Sequence, residues 1–308
     1  MQTDSIELSF LSIFTFITFF IFLIASKYSH KLNNGILLDK DFLKPQAFHN
    51  EAISRSGGIA GLLSLFIFLS IYYLLFSEIL YQYIFVCTSL FLVGYLDDIK
   101  KRVSSNIRLI LMIIFLIIFI NLLSIEIKNI DLIFLSSWLD NKIFSTIFVL
   151  LCFLFIVNGA NLIDGFNGLL AINSLIINSV LLYINLNNNI IEFSIFLTAQ
   201  IIILLCFLLF NFPRAKIFLG DSGSYLFGSL IALNIIFTNN SDTTLSAFFF
   251  CILLFYLFYE VFFSFFRKLL QKKSPLLPDQ NHLHMLVYKY LEKNYPSRNN
   301  NHLTSLYL

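Results

Sequence analysis

Residues 190–210 read IIEFSIFLTAQIIILLCFLLF, an apolar run that decides the fold class. Its single charged residue is Glu192, and a helix needs about 20 mostly apolar residues to cross a bilayer. Eight further apolar runs are present, and the chain is 58% hydrophobic and 12% charged. Soluble domains carry about 25% charged residues. A soluble core could not bury this much apolar surface, which excludes a series of soluble domains.

Several of the nine runs are rich in Phe and Ile, a composition that favours strands in water. In lipid, however, every backbone group must be satisfied within its own segment, so the runs predict helices. We expect an all-α fold: a polytopic transmembrane helical bundle of about nine helices, forming one domain over residues 1–308. The runs lie at about 8–25, 58–76, 80–96, 107–124, 143–157, 168–184, 190–210, 218–238 and 244–266.

Basic residues divide the loops between two sides of this bundle. Every Lys and Arg falls on one side except Lys128 and Lys142. The positive-inside rule therefore predicts an outside N-terminus and a cytoplasmic C-terminus. The basic side consists of Arg108 and the loops at 26–57, 97–106, 158–167, 211–217 and 267–308.

The first polar motif on the basic side is GYLDDIKKR, residues 94–102, at the end of the third run. Adjacent carboxylates repel, so Asp97 and Asp98 need either a shared proton or a cation. Magnesium binds through one or two carboxylates together with substrate phosphates. A solvated helix end of mixed charge is the alternative interpretation.

The second motif is NGANLIDGFNG, residues 158–168, which separates two apolar runs. Irregular backbone at this depth is tolerated only when it is buried in protein or lines a cavity. The amides of Asn161 and Asn167 offer both donors and acceptors, as nucleobase edges and sugar hydroxyls require. A tight turn would explain the glycines but not the placement of Asp164.

The third motif is NFPRAKIFLGDSGS, residues 211–224, a loop that opens a helix. Its glycines, with Ser222 and Ser224, predict backbone N–H groups aimed at an anion. Asp221 brings a third carboxylate to the same face. Asp221 or Ser222 as an ordinary helix N-cap is the alternative.

The fourth motif is SPLLPDQNHLH, residues 274–284, an extended loop in which His282 and His284 can converge. No Cys or Glu pattern supports a zinc site there. A further segment, residues 45–58, contains His49 and Arg55 before a Gly pair. A membrane-interface loop anchored by Arg55 is the alternative for that segment.

In order and spacing these motifs resemble the polyprenyl-phosphate N-acetylhexosamine-1-phosphate transferase superfamily, from about Asp39 to His284. The Ser274–His284 loop and Arg55-Ser56-Gly57-Gly58 are similar to the undecaprenyl-phosphate GlcNAc-1-phosphate transferase branch. Phospho-MurNAc-pentapeptide transferases, the other branch, have a triple histidine. Three departures occur: Met285 follows His284, Asn167 stands where the family often has Asp, and residues 301–308 look like the start of a missing C-terminal helix.

The resemblance implies transfer of a HexNAc-1-phosphate from a UDP-sugar, UDP-GlcNAc by default, to undecaprenyl phosphate, releasing UMP. It implies Mg²⁺ (or Mn²⁺), a multi-pass protein of the bacterial inner membrane with a cytoplasmic active site, no nucleic acid, and a homodimer as one assembly. Direct attack by the lipid phosphate is favoured over a covalent intermediate on Asp98. The implied site comprises the catalytic residues Asp97, Asp98, His282 and His284, the metal ligands Asp221 and Asp97, and the substrate-binding residues Arg55, His49, Asn161, Asp164, Asn167, Asn211 and Phe218.

Two other classes of protein are weighed against this interpretation. Intramembrane charge often marks a transporter, but only Glu260 and Glu192 are candidates and no internal repeat is visible. A non-catalytic scaffold would fit Met285 and the chain end, whereas the four motif aspartates argue for an enzyme.

Overall fold

The computed structural model describes residues 2–28, 35–39, 52–99, 103–128, 130, 132–242, 244–272, 281–296 and 300–308. The described parts are all-α apart from one short two-stranded sheet, which confirms the predicted fold class. The helices are α1 (Gln2–Tyr28), α2 (Gly57–Phe76), α3 (Tyr81–Asp98), α4 (Ser105–Leu122), α5 (Ile133–Leu139), α6 (Lys142–Ile163), α7 (Leu169–Asn187), α8 (Ile191–Asn211), α9 (Gly220–Ser241), α10 (Ala247–Leu253), α11 (Phe255–Leu270), α12 (Leu283–Asn294) and α13 (Asn300–Tyr307). The strands are β1 (Leu38–Asp39) and β2 (Ile53–Ser54).

Each predicted apolar run coincides with a helix, except that the run at 244–266 forms two, α10 and α11. Six helices of the described chain, α1, α2, α4, α6, α7 and α8, are long and apolar enough to cross a membrane, and α10 with α11 would add a seventh, broken span. Helices α3 and α9 are as long but more polar, because they carry the first and third motifs.

Helix α9 forms the centre of the bundle. It packs against α2, α3, α6 and α7, and almost all of its residues are buried. Around this centre α1 and α8 pack together, α4 contacts α3 and α6, and α11 contacts α6. The most polar long helix is therefore shielded from lipid by its apolar neighbours, which explains how Asp221 can lie in a membrane bundle.

The last apolar run bends by 74° where α10 meets α11, a break that the apolar pattern does not predict. Helix α11 is amphipathic: Glu260, Ser264 and Lys268 are buried, whereas Phe262 and Phe266 on another face are exposed. The polar face of α11 is thus turned toward the protein, and its Phe-rich face is left exposed.

The small sheet joins the segment before α2 to the segment before α9. Strands β1 and β2 are antiparallel, and Ser54 also forms a parallel bridge with Ile217. The N–H of Phe218 donates to the Ser54 carbonyl at 2.8 Å, and the N–H of Gly57 donates to the Phe218 carbonyl at 2.9 Å. Two motifs far apart in sequence are thus fixed side by side.

Three short helices, α5, α12 and α13, lie outside the predicted runs because they contain no long apolar stretch. Residues 301–308, which the sequence predicted to begin a helix, lie mostly in α13. This helix packs against α12 and α7, and the Asn301 Oδ1 accepts from the Asn167 N–H at 2.8 Å.

Candidate active site

Two predicted motifs meet where α3 ends and α9 begins. Glycines permit this close approach: a Cβ on Gly94 would lie 2.4 Å from the Asp221 carbonyl oxygen. Gly220 has a φ of +74°, and a Cβ there would lie 2.6 Å from both Asp98 carboxylate oxygens. The contact brings Asp97, Asp98 and Asp221 together, as the sequence predicted.

The carboxylate of Asp98 accepts hydrogen bonds from the first turn of α9. It receives the N–H of Asp221 at 3.0 Å, the N–H of Ser222 at 2.9 Å and the Ser222 hydroxyl at 2.6 Å. The sequence predicted an anion at this helix start, and in the structure that anion is Asp98 itself. The alternative, Asp221 or Ser222 as the N-cap, is wrong, since the N-cap position is Leu219.

Arg55 lies on the other side of Asp98. Its Nη1 is 3.4 Å from Asp98 Oδ1, while its Nε and Nη2 donate to Asp39 Oδ2 at 3.2 and 2.7 Å. Asp39 belongs to β1, and Arg55 directly follows β2, so the sheet holds this pair in place. The structure thus places Arg55 at the carboxylate cluster, where it contributes positive charge.

Arg108, which the sequence indicated only as a basic charge at the start of the fourth apolar run, also joins the cluster. Its Nη1 lies 3.2 Å from Asp97 Oδ2 and also forms a very short contact with Asp221 Oδ2. Its Nη2 donates to the Ser105 hydroxyl at 3.4 Å. The available signal was a lone arginine in the first turn of the apolar helix α4.

The carboxylate oxygens of Asp97 and Asp221 are suited to the predicted Mg²⁺ because they face one common position. Oxygens of Asp97 and Asp221 converge on a single atom of Arg108, so this position already favours positive charge. Within the described chain no cluster of three His, Cys, Asp or Glu side chains is arranged to hold a metal. Two carboxylates are enough for Mg²⁺ when substrate phosphates complete its shell. Asp98 is turned away toward α9 and is a poorer ligand.

The second motif also reaches this cluster, through hydrogen bonds to α9 and to the loop after α8. Asn161 donates to the Ser224 hydroxyl at 2.9 Å, and that hydroxyl donates to the Asp221 carbonyl at 3.1 Å. The Asn211 Oδ1 accepts from the Gly168 N–H at 2.6 Å, while its amide donates to a backbone carbonyl at 2.8 Å. The side-chain amide of Asn167 donates to the backbone carbonyl of Pro213 at 3.0 Å.

Asp164 follows the last residue of α6, outside the membrane-spanning helices. Its pKa is raised to about 8, mainly by burial and also by the nearby charges of Asp221 and Asp98, against the opposing effect of Arg55. Part of its surface still reaches solvent. The carboxyl group is therefore neutral at pH 7 and can donate a hydrogen bond.

The two predicted histidines lie together at the start of α12. Both are buried, their rings are parallel, and their centroids are 5.4 Å apart. Each Nδ1 faces Glu260, at 2.9 Å for His282 and 3.2 Å for His284. Burial lowers the pKa of His284, although Glu260 opposes this effect. A Cβ on Gly165 would lie 3.4 Å from His284 Nε2, which places this histidine against the second motif.

Phe218 and His49 are the remaining predicted substrate-binding residues. Phe218 is half-buried beside β2, one residue after the bridge at Ile217. His49 and most of the fourth motif, residues 274–280, lie outside the described residues.

Comparison with known proteins identifies the family to which these motifs belong. Residues 80–239 match the sequence profile of glycosyl transferase family 4. The chain belongs to glycosyl transferase family 4. This match covers α3 through most of α9, the segment that contributes Asp97, Asp98 and Asp221, and it confirms the resemblance noted from the motifs.

Three bacterial relatives illustrate the branches of this family. The undecaprenyl-phosphate alpha-N-acetylglucosaminyl 1-phosphate transferase of Thermotoga maritima is 29% identical over 80% of this chain and 71% of its own length. The corresponding transferase of Salmonella typhi is 26% identical over 91% and 75%. The phospho-N-acetylmuramoyl-pentapeptide-transferase of Dictyoglomus turgidum is 34% identical over 71% and 72%.

Proposed function

We propose that the chain transfers a HexNAc-1-phosphate group from a UDP-sugar, with UDP-GlcNAc as the expected donor, to undecaprenyl phosphate. The products are undecaprenyl-diphosphate-sugar and UMP, in the first membrane step of a cell-envelope glycan. The observation that carries the proposal is the convergence of Asp97 and Asp221 on Arg108, with Arg55 beside Asp98.

This arrangement suits a reaction between two phosphate-bearing substrates. A diphosphate donor and a phosphate acceptor bring several negative charges to one place, and catalysis of phosphoryl transfer consists mostly of positioning and charge stabilisation. Arg55 and Arg108 supply two fixed positive charges at this end of the bundle. The guanidinium groups are held by Asp39, Asp97 and Asp221, so little ordering is needed when phosphate binds.

Asp97 and Asp221 are the residues that would hold Mg²⁺, or Mn²⁺, together with phosphate oxygens of the donor. When bound, the ion would neutralise charge on the donor pyrophosphate. The role of this chain is to keep the two carboxylates facing one position between α3 and α9.

Direct attack by the lipid phosphate is the mechanism that the contacts of Asp98 favour. A phosphate monoester has a second pKa of about 6, so near neutral pH the acceptor is mostly a dianion and needs little help from a base. Its oxygen bonds to the sugar-bearing phosphorus, the bond from that phosphorus to the bridging oxygen breaks, and UMP leaves. Both oxygens of Asp98 already accept hydrogen bonds from α9, which leaves them poorly placed as a nucleophile. A phospho-aspartate trapped on Asp98 after adding donor alone would refute this mechanism.

The donor nucleotide is proposed to lie along the second and third motifs. Asp164, neutral at pH 7, can donate a hydrogen bond to uracil or sugar oxygens, and Phe218 can stack on uracil. Asn161, in the last turn of α6, and Asn167, in the turn that follows, both belong to the second motif. Asn211 links the second motif to the third through its hydrogen bond with the Gly168 N–H.

The orientation follows from charge. All the motifs lie at the ends of helices that meet the Lys- and Arg-rich loops, so we place the active site at the cytoplasmic face of the bacterial inner membrane. A homodimer stays a prediction.

A second donor is favoured by one comparison. The D. turgidum relative is named a phospho-N-acetylmuramoyl-pentapeptide-transferase and is 34% identical. The His282-Leu283-His284 sequence favours the GlcNAc-type donor, because the pentapeptide-type family members have a triple histidine.

The test is UMP release by the purified protein from undecaprenyl phosphate, Mg²⁺ and a panel of UDP-sugars that includes UDP-GlcNAc and UDP-MurNAc-pentapeptide. We expect release with UDP-GlcNAc, abolished without Mg²⁺ and in Asp221→Asn. Asp242→Asn is the matched control, because Asp242 follows the opposite end of α9 and its carboxylate accepts hydrogen bonds from Asn188, Thr244 and Leu245, none of which belongs to the acidic cluster. Release with the pentapeptide donor alone would favour the second candidate, and no release with any donor would contradict the proposal.

A further inference from the structure

Glu260 lies within α11 with no exposed surface. A carboxylate at such depth is costly unless it is paired, and in membrane helices such residues often mark a functional site. From the sequence, Glu260 is only a candidate intramembrane charge of a transporter. The structure gives it a set of partners at the start of α12.

Three groups point at this carboxylate. Its Oε2 lies 2.9 Å from His282 Nδ1, and its Oε1 lies 3.2 Å from His284 Nδ1. The same Oε1 accepts from the Leu283 N–H at 2.9 Å. A fourth group, the hydroxyl of Tyr256, also hydrogen-bonds to Glu260 and lies 3.4 Å from His284 Nδ1.

This geometry determines which edge of each imidazole is left for a ligand. An Nδ1 atom that faces a carboxylate carries its proton, so Nε2 is the ring nitrogen that remains available. In His284 this Nε2 faces the second motif at Gly165, next to Asp164. The two rings are parallel, with an angle of 1° between their planes, as expected when one carboxylate aligns both.

We propose that Glu260 is a positioning residue: it fixes the Nδ1–H form of both His282 and His284, so that their Nε2 atoms face the sugar-phosphate of the donor. The proposal rests on the function proposed above and adds to it a residue on α11 that acts through the histidines. The competing view is structural, in which Glu260 only attaches α12 to α11 through the Leu283 N–H.

Rates of UMP release separate these two views. Glu260→Gln keeps the size of the side chain but can offer only one oxygen, so one histidine loses its acceptor. We expect a loss of about 10- to 100-fold, as for other partners that orient a functional histidine. Glu260→Asp, which keeps the carboxylate, should retain more activity. Ser264→Ala is the matched control, since Ser264 is buried one turn further along the same face of α11, and it should behave as wild type.

A double-mutant cycle gives the sharper result. If Glu260 acts through the histidines, adding Glu260→Gln to His282→Ala/His284→Ala causes no further loss of rate. If its role is structural, the losses multiply, and that outcome would overturn the proposal. Thermal unfolding of each variant in detergent identifies any that fail to fold.

A second readout does not depend on turnover. In ¹⁵N spectra of histidine-labelled protein, we expect Nδ1-protonated rings for His282 and His284, and a shift of at least one ring toward the Nε2–H form in Glu260→Gln. Unchanged tautomers would overturn the positioning role even in an active enzyme. An inactive wild type with the expected tautomer shift would contradict the proposed function but support the role of Glu260.

Discussion

Arg108 is the residue whose role the structure changed most. Its guanidinium lies between Asp97 and Asp221, and one of its nitrogens contacts both carboxylates. When a metal cation pairs with Asp97 and Asp221, the Arg108 guanidinium is released in part from these carboxylates and can contact the donor phosphates. Arg108 is thus both a partner of the acidic cluster and a candidate phosphate-binding residue.

Replacing Arg108 by Gln tests this dual role. We expect UMP release to fall about 100-fold, the cost of removing one preorganised charge-stabilising donor. The Mg²⁺ concentration for half-maximal rate should fall as well, because the two carboxylates lose a competing cation. Arg108→Lys should lose less activity because it keeps the charge. An unchanged rate in Arg108→Gln would exclude a role in phosphate binding.

The raised pKa of Asp164 predicts that the stability of the folded protein depends on pH. Its folded pKa of about 8, raised mainly by burial, lies far above the ordinary value of 3.8. The folded state therefore holds a proton that the unfolded state has lost, so the stability from this group is complete below about pH 4 and is lost as pH rises to about 8. In Asp164→Asn the side chain cannot ionise, so this loss of stability with rising pH should disappear.

The measurement is thermal unfolding of metal-free protein in detergent from pH 5 to pH 9. The unfolding temperature of Asp164→Asn, relative to wild type, should rise from pH 5 to pH 8 and then level off. A difference that does not change with pH would show that Asp164 ionises normally in the folded protein.

These residue-level contacts also show why the sequence predicted part of the site. Asp97, Asp98 and Asp221 stood out because carboxylates are rare at the ends of apolar runs. Arg108 was noted only as a basic charge and Glu260 only as an intramembrane charge, because their partners Asp221 and His282 lie 113 and 22 residues away in the sequence. Such pairings depend on how helices pack, which a single sequence does not reveal.

At the scale of elements, an amide cluster joins three central helices. Asn234 of α9 donates to Gln200 of α8 at 2.7 Å and to Asn178 of α7 at 3.1 Å, and Gln200 donates back at 3.2 Å. All three side chains are buried. In a bundle whose other contacts are mostly apolar, these bonds select one packing of α7, α8 and α9.

Replacing Asn234 by Leu removes the central member of this cluster and leaves two buried amides without their partner. We expect a loss of about 1–2 kcal/mol in the free energy of unfolding, with the KM for the UDP-sugar unchanged. Asn121→Leu is the control, because Asn121 is exposed on α4 and donates to its own helix. Equal stability of the two variants would show that the amide cluster contributes little.

Element positions were largely predictable, whereas their interruptions were not. Nine apolar runs located the long helices because lipid leaves a segment no alternative to helix. The break between α10 and α11 falls at Leu254, and the apolar run at 244–266 contains no Pro or Gly. No local signal in the sequence therefore marks the break. The short helices α12 and α13 form through contacts with each other and with α7, which again depend on packing.

For the whole molecule, charge distribution predicts the orientation in the membrane. Lys128 lies after α4 on the side with few basic residues, and Lys216 lies in the third motif; both are exposed. In a cysteine-free background, Lys128→Cys should react with a membrane-impermeant maleimide added to spheroplasts, and Lys216→Cys should react only after lysis. The reverse pattern would place the acidic cluster outside and contradict a cytoplasmic UDP-sugar donor.

The central claim is that a sugar and its phosphate move together onto the lipid. The most direct test uses UDP-GlcNAc labelled with ³²P in the β-phosphate and with ³H in the sugar, incubated with the protein, undecaprenyl phosphate and Mg²⁺. Both labels should enter the lipid fraction in a ratio of one to one while unlabelled UMP is released. Entry of ³H without ³²P would mean that only the sugar is transferred, and absence of both labels would mean that UDP-GlcNAc is not the donor; either result would contradict the account.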